Sequence, residues 1–434
     1  MSKGQDPLHR ALDRRDFLKQ GTVAPLAAMV GAIAIPPLLR PSPLRARART
    51  GREPVQCGII GFGEWGRELA TSLGRLEAAH LAAICDTFPV MLQRAARSNP
   101  DASTHADYHE VLDNATIKAV FIATPTHQHR EIALAALQAG KHVYCEVPLA
   151  HTIEDAQAIA GAAAAAAAAS QVFQCGLIYR TEPQYRGVFQ FVRSGAIGHA
   201  SSARAQWNQK QSWRRASATP ARERELNWRL DQAVSTGLAG EVGIHQLDLA
   251  TWILQTLPIA ITGTGQVAQW RDGRAVPDTV QAIFEFPGEL HLTYTATLGS
   301  SFDGEYQLFH GSDATVMMRD SKGWMFREVD APLLGWEVYA RKDRFYREEG
   351  VALVADATKL AAQGIDPTKD DPNAETPLFY ALEEFLDNCA NGPFPPAAGY
   401  KQGYDATVIA VKANEAIVQK QRLVYDQSWF TAVS

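Results

Sequence analysis

Two groups of residues in this 434-residue chain could do chemistry. The first is Gly61-Phe62-Gly63-Glu64-Trp65-Gly66, directly after the apolar run Cys57-Gly58-Ile59-Ile60. A glycine at 61 lets the chain turn tightly. One at 63 leaves a pyrophosphate room against the backbone, and one at 66 lets the next helix pack close to the strand. The free N–H groups and partial positive charge of that helix start then face the phosphates. Asp86 ends the next apolar run, Leu81-Ala82-Ala83-Ile84-Cys85, and lies 20 residues beyond Gly66. A carboxylate there can accept hydrogen bonds from the adenosine ribose and would repel a 2′-phosphate, which favours NAD(H) over NADP(H). The plainer alternative is a structural strand-turn-helix with a solvated Asp.

The second group is Glu241, His245 and Asp248, spaced four and three apart. On a single helix they would share one face. Histidine has the side-chain pKa nearest working pH, and a carboxylate beside it raises its basicity and fixes its tautomer. That is a proton-handling arrangement, although a lone His on an amphipathic helix is usually core. Between the two groups lie Asn208-Gln209-Lys210-Gln211-Ser212-Trp213-Arg214-Arg215 and Asn227-Trp228-Arg229. Trp213 and Trp228 could cover sugar C–H surface while Arg214 and its polar neighbours bond hydroxyls. The competing reading is an interface or loop anchor.

The elements that must position these groups follow from pattern. At this length two domains are the prior. The N-terminal one alternates short apolar strands with helices: Ala119-Val120-Phe121-Ile122-Ala123 is continuous, as for a parallel strand covered on both faces. Its trailing loop, Thr124-Pro125-Thr126-His127-Gln128-His129, belongs beside the ligand, because ligands lie beyond the carboxyl ends of such strands. Lys141 to Cys145 is a further strand, and Ala162 to Ala169 are eight alanines that extend a helix opened near Thr152. Residues 259–329 alternate as antiparallel strands of an open sheet, followed by a charged stretch at 335–372 read as a solvated face or lid, then two helices. Apolar content of 46% and charged content of 21% describe an ordinary globular protein, and a net charge of −5 gives no reason to expect nucleic acid. Cys57, Cys85, Cys145, Cys175 and Cys389 form no metal-spaced cluster, so no metal is expected, and four of them sit in apolar runs as buried thiols.

The segment Ala123 to Ala150, ATPTHQHREIALAALQAGKHVYCEVPLA, together with the glycine turn and the Glu241 to Asp248 stretch, resembles the Gfo/Idh/MocA oxidoreductase family. The resemblance implies an N-terminal Rossmann doubly wound parallel sheet (51–176). It also implies a C-terminal α+β domain with a large open, mainly antiparallel sheet for substrate binding and oligomerisation (177–434). It implies NAD as cofactor, a carbohydrate or polyol substrate, and a homo-oligomer, dimer or tetramer. It places Gly61, Phe62, Gly63, Glu64, Trp65, Asp86, Thr124, Pro125, Thr126, His129, Glu146 and Pro148 at the cofactor. It places Arg180 and Asp248 at the substrate, beside Trp213, Arg214 and Trp228, whose side-chain chemistry already suits a sugar. His245 is then the general base, with Glu241 as partner and Tyr179 as helper. One departure stands out. Members usually have Glu-Lys-Pro where this chain has Glu146-Val147-Pro148, and valine cannot donate, accept or carry charge. A net sugar dehydrogenase with another proton carrier, a redox-neutral glycoside lyase, hydrolase or epimerase with tightly held NAD, and a non-catalytic binder all remain open.

Residues 1–50 stand apart. Arg14-Arg15-Asp16-Phe17-Leu18-Lys19 resembles the twin-arginine signal of the Tat translocation machinery. A mildly apolar stretch and Ala46-Arg47-Ala48 follow, so cleavage near Ala48, a periplasmic or otherwise exported protein, and no stable membrane anchor are expected.

Overall fold

The computed structural model describes residues 53–431 apart from 218, 336, 338, 339, 346, 347 and 356–374. The leader expectation and part of the charged stretch therefore lie outside the described residues. Among those residues no helix is long and apolar enough to cross a membrane.

The first half alternates strand and helix: β1 (Val55–Ile60), α1 (Glu64–Leu73), β2 (Ala79–Cys85), α2 (Pro89–Ser98), β3 (Ser103–His105), α3 (Tyr108–Asp113), β4 (Ala119–Ile122), α4 (His129–Gln138), β5 (His142–Cys145), α5 (Ile153–Ala167) and β6 (Phe173–Cys175). The strands form one parallel sheet in the order β3-β2-β1-β4-β5-β6. Parallel neighbours need long crossovers, which the helices supply, and these cover both faces, so β4 is buried throughout. Chain order reverses between β1 and β4, which opens a crevice at their carboxyl ends. Thr152 caps α5 by accepting the Asp155 N–H, and Gly140 follows α4 at φ +75°, both as the sequence implies.

The second half begins with α6 (Pro183–Phe191), β7 (Ala200–Asn208), α7 (Pro220–Leu226), α8 (Gly237–Glu241) and α9 (Ile244–Leu254). Strands β8 (Ala260–Gln266), β9 (Thr279–Glu285), β10 (His291–Thr297), β11 (Glu305–Gly311), β12 (Ala314–Arg319), β13 (Lys322–Arg327), β14 (Lys342–Phe345) and β15 (Glu348–Leu353) follow. The chain closes with α10 (Pro377–Asn391), α11 (Tyr400–Gln419), β16 (Arg422–Val424) and α12 (Ser428–Thr431). The ten-stranded sheet runs β14-β15-β13-β12-β11-β7-β10-β9-β8-β16 and is antiparallel except for β7 beside β10. Burial alternates along β8, β9 and β10, so one face packs on helices and the other is open. Part of the charged stretch read as a solvated face or lid is instead the edge pair β14–β15, whose Arg and Lys side chains suit an edge strand.

Chain order and spatial layers part company at the end. Helix α10 lies on the first sheet: Leu378, Leu382, Phe385 and Leu386 share a core with Ile59, Leu69, Phe121 and Tyr144. The Phe385 ring stands 5.3 Å from Phe121 and 5.6 Å from Tyr144, both edge to face. Helix α11 packs on α5 and on β8, and Thr407 Oγ1 accepts the Leu149 N–H at 3.0 Å.

Candidate functional site

The glycine turn has the geometry its spacing requires. Gly61 sits at φ +95°, and a side chain there would press on the Ala123 carbonyl at 2.7 Å. At Gly66 an added Cβ would lie 1.9 Å from the Gly61 carbonyl oxygen, so only glycine lets α1 start this close to β1. A Cβ added at Gly63 would meet nothing within 4 Å, which leaves open space on that side for a phosphate. Asp86 is fixed from both sides: Oδ2 accepts the Phe62 N–H and Oδ1 the Phe88 N–H, each at 2.8 Å. Each oxygen keeps acceptor capacity for a ribose hydroxyl. Phe62 is buried core, while Glu64 and Trp65 are exposed at the helix start. These residues fit a dinucleotide.

The loop after β4 adds polar atoms turned inward. Thr124 Oγ1 and His127 Nδ1 are buried without a partner among the described residues, as is His151 Nδ1 nearby. Pro125 is half-buried and Thr126 buried. His129 is different from the cofactor contact expected of it. Its Nδ1 lies 3.0 Å from the Pro148 carbonyl and its Nε2 2.9 Å from the Thr124 carbonyl. Burial pushes its pKa down to about 4 while the two carbonyls pull it up; as a neutral ring it donates to one of them at a time, and its place between the two loops is structural. Glu146 is buried, with Oε1 unpartnered. Desolvation pushes its carboxyl up to about 8, opposed by a hydrogen bond from the Trp65 side chain and the Val147 N–H. Val147 is half-buried against the core, and Pro148 is buried.

On the second domain the shared helix face of Glu241, His245 and Asp248 does not exist. Helix α8 ends at Glu241, and α9 starts at Ile244. The break turns Glu241 away from His245. Its Oε1 accepts from Thr236 Oγ1 at 2.6 Å, and Arg229 Nε lies 3.5 Å from its Oε2. Asp248 is not free for a substrate either. It grips Arg180 through Nε at 2.8 and 3.0 Å and Nη2 at 2.7 Å, so in this structure the two expected substrate contacts are partnered with each other in a buried ion pair. Arg214 is likewise held by Asp272, at 3.0 Å from Nε to Oδ2 and 2.9 Å from Nη2 to the carbonyl.

What does converge is Tyr179 with His245: ring centroids 5.9 Å apart, planes at 86°. Burial lowers the His245 pKa to about 4, and its Nδ1 has no partner among the described residues. The Tyr179 hydroxyl donates to Glu305 Oε1 at 3.4 Å, and Gln246 Nε2 donates to the same oxygen at 2.9 Å. Burial raises Glu305 as well. Sequence reasoning missed Glu305. No clear sign stood in the sequence, since apolar Tyr306 and Leu308 point to the other face, whereas in the structure Gln307 and Phe309 are the buried side and Glu305 shares it. Tyr179 also lines a cavity of about 380 Å³ with Glu64, Trp65 and Leu378. Trp213 and Trp228 flank the Arg229 guanidinium at 5.8 and 4.6 Å, and Trp228 meets His127 at 6.0 Å.

Residues 55–174 match the profile of the "Oxidoreductase family, NAD-binding Rossmann fold", and residues 185–317 match the "GFO/IDH/MocA C-terminal domain". Levoglucosan dehydrogenase of Pseudarthrobacter phenanthrenivorans is 28% identical over 258 residues, 54% of this chain and 63% of that protein. "Glycosyl hydrolase family 109 protein 2" of Shewanella sp. strain ANA-3 is 33% identical over 159 residues, 33% of this chain and 35% of that one. The chain thus spans less than two thirds of these curated relatives. A solved levoglucosan dehydrogenase, in complex with NADH and levoglucosan, superposes with a TM-score of 0.67 at 20% identity, covering 86% of this chain and 99% of that one, which shows a common fold. With profiles matched in both halves, this chain belongs to the Gfo/Idh/MocA oxidoreductase family, and its first domain is an NAD-binding Rossmann domain.

Proposed function

We propose that the protein oxidises or reduces a sugar, cyclitol or related polyol with NAD(H). One observation carries this reading: Tyr179 lines a cavity with Glu64 and Trp65 of the glycine turn, and its ring meets His245. When bound, the nicotinamide supplies hydride acceptance and return at its C4. The chain's own residues handle the proton. Neutral His245 takes it from the reacting hydroxyl; the single Tyr179 proton goes to Glu305, which Gln246 also holds, so Tyr179 braces the His245 ring edge to face. Trp213, Trp228 and Arg229 supply the aromatic and cationic surface a sugar ring needs.

A second reading is redox-neutral glycoside cleavage or epimerisation, in which the hydride is taken and given back within one turnover. Val147, an alkyl group where the family resemblance implies an amine, favours it, as does the likeness to a relative named for a glycosyl hydrolase family. Denaturing the purified protein, identifying the released nucleotide and its redox state, and then offering sugars deuterated at ring carbons separates the readings. Deuterium on nicotinamide with accumulating NADH supports the first. Transient deuterium with product and no net NADH supports the second. Nucleotide without any isotope transfer leaves only a binder.

We further propose export through the Tat machinery with cleavage near Ala48, from Arg14-Arg15 and Ala46-Arg47-Ala48. A homo-oligomer formed on the open sheet face, where Ile283 is exposed, completes the reading.

A further inference from the structure

The stretch between Trp213 and Arg229 touches the first domain at three places, each on a different loop of the dinucleotide crevice. The Arg222 guanidinium lies 4.2 Å from the Phe88 ring centroid, and the Phe88 N–H is held by Asp86 Oδ1 at 2.8 Å. Arg215 reaches Glu64, the first residue of α1, at 2.5 Å. Trp228 meets His127 edge to face at 6.0 Å. These are the loops after β2, β1 and β4, so the stretch crosses the carboxyl edge of the sheet from the ribose-side carboxylate to the loop after β4.

The stretch is braced for that position. The Arg215 N–H donates to Asn227 Oδ1 and Asn227 Nδ2 donates back to the Arg215 carbonyl, both at 2.7 Å. Arg214 ties its base to Asp272. It is also basic: Arg214, Arg215, Arg222, Arg224 and Arg229 stand against Glu223 and Glu225 in a chain whose net charge is −5. Arg222 pairs with Glu225 at 2.8 Å through Nη1, while its Nε is buried with no partner among the described residues.

We propose that this stretch forms the outer wall of the dinucleotide site and that Arg222, seated on Phe88, binds the adenosine half of the cofactor. A guanidinium on an aromatic ring offers a flat face for a purine and a donor edge for ribose or phosphate oxygens. The exposed Arg215–Glu64 pair adds little on its own in water, so Arg222 carries most of the effect. Cofactor exchange then requires the wall to lift from Phe88. This inference concerns how the nucleotide is held, and it stands whether turnover is net redox or redox-neutral.

The test uses the cofactor-loaded protein. NAD loss is timed after transfer to nucleotide-free buffer, and ADP-ribose and nicotinamide mononucleotide are titrated separately. Arg222→Ala should speed NAD loss and weaken ADP-ribose by about five- to thirtyfold, leaving nicotinamide mononucleotide unchanged. Arg222→Lys, which keeps the charge and loses the planar fork, should fall between. Arg204→Ala, an exposed residue of β7 outside the stretch, should match the parent, and equal unfolding midpoints show that the fold is intact. Parent-like ADP-ribose binding by Arg222→Ala, or equal loss toward both half-cofactors, overturns the proposal. Parent-like binding by Asp86→Ala as well overturns the placement of the adenosine.

Discussion

Tyr179 and His245 come from opposite sides of the domain junction and meet edge to face, centroids 5.9 Å apart. Tyr179 follows β6 of the first sheet, and His245 stands at the start of α9 under the second. Their contact fixes where one domain's chemistry reaches the other's. It also keeps the imidazole dry, and this lowers its pKa to about 4.

His245→Ala should reduce turnover by about 10²–10⁴-fold with NAD affinity unchanged. Because the ring is already neutral above about pH 4, the rate should show no acid limb from this group between pH 5 and 7. An acid limb centred near 6.5 that vanishes in the variant would mean that His245 titrates as an ordinary exposed ring.

Glu146 makes stability depend on pH in the opposite sense to most carboxylates. Its folded pKa of about 8 exceeds the ordinary 4.5, so the folded protein holds a proton that the unfolded chain releases. Its contribution is full below the unfolded value and lost as pH rises towards 8. Glu146→Gln should flatten this fall by at most about 1.4 kcal/mol per pH unit, read from urea unfolding at a series of pH values. Parallel curves for parent and variant would show that the carboxyl is ionised in the fold.

The Arg180–Asp248 pair is buried, with side chains 13% and 4% exposed. Asp248→Asn leaves the guanidinium without its counter-charge and should cost about 3–5 kcal/mol. Replacing both by apolar residues, Arg180→Met with Asp248→Leu, should recover most of that loss. Equal stability of the single and double variants would show that the charges do not matter to each other.

Gly63 and Gly66 should separate binding from folding. Gly63→Ala fits the backbone at φ −67° and meets nothing, so stability should change by less than about 0.5 kcal/mol while NAD affinity falls about tenfold or more. Gly66→Ala drives a carbon into the Gly61 carbonyl and should cost more than about 3 kcal/mol. Unimpaired NAD binding by Gly63→Ala would place the pyrophosphate elsewhere.

The parallel sheet, the glycine turn and Asp86 were legible because each rests on local pattern: apolar runs, glycine spacing, a carboxylate at a strand end. His245 and Tyr179 were legible as candidates, since proton chemistry restricts residue type. Their surroundings were not. The Glu241–His245 pairing failed because a two-residue break between α8 and α9 rotates one side chain away, and helical spacing cannot foresee it. Arg180, Arg214 and Asp248 read as substrate contacts because a charged residue near a site looks the same whether its partner is a ligand or another side chain. Arg180 and Asp248 hold each other, Arg214 is held by Asp272, and Tyr179 by Glu305, all across long distances in sequence.

Helix α10 seals the outer face of the nucleotide-holding sheet, though it is made near the end of the chain. During synthesis the strands that carry Gly61 and Asp86 emerge long before the helix that keeps them dry. That half stays unfinished until Phe385 and Thr407 have left the ribosome. A cell that makes this protein must shelter an open apolar sheet until the final stretch is translated, and a chain cut short before residue 377 would be a substrate for proteolysis rather than a smaller enzyme.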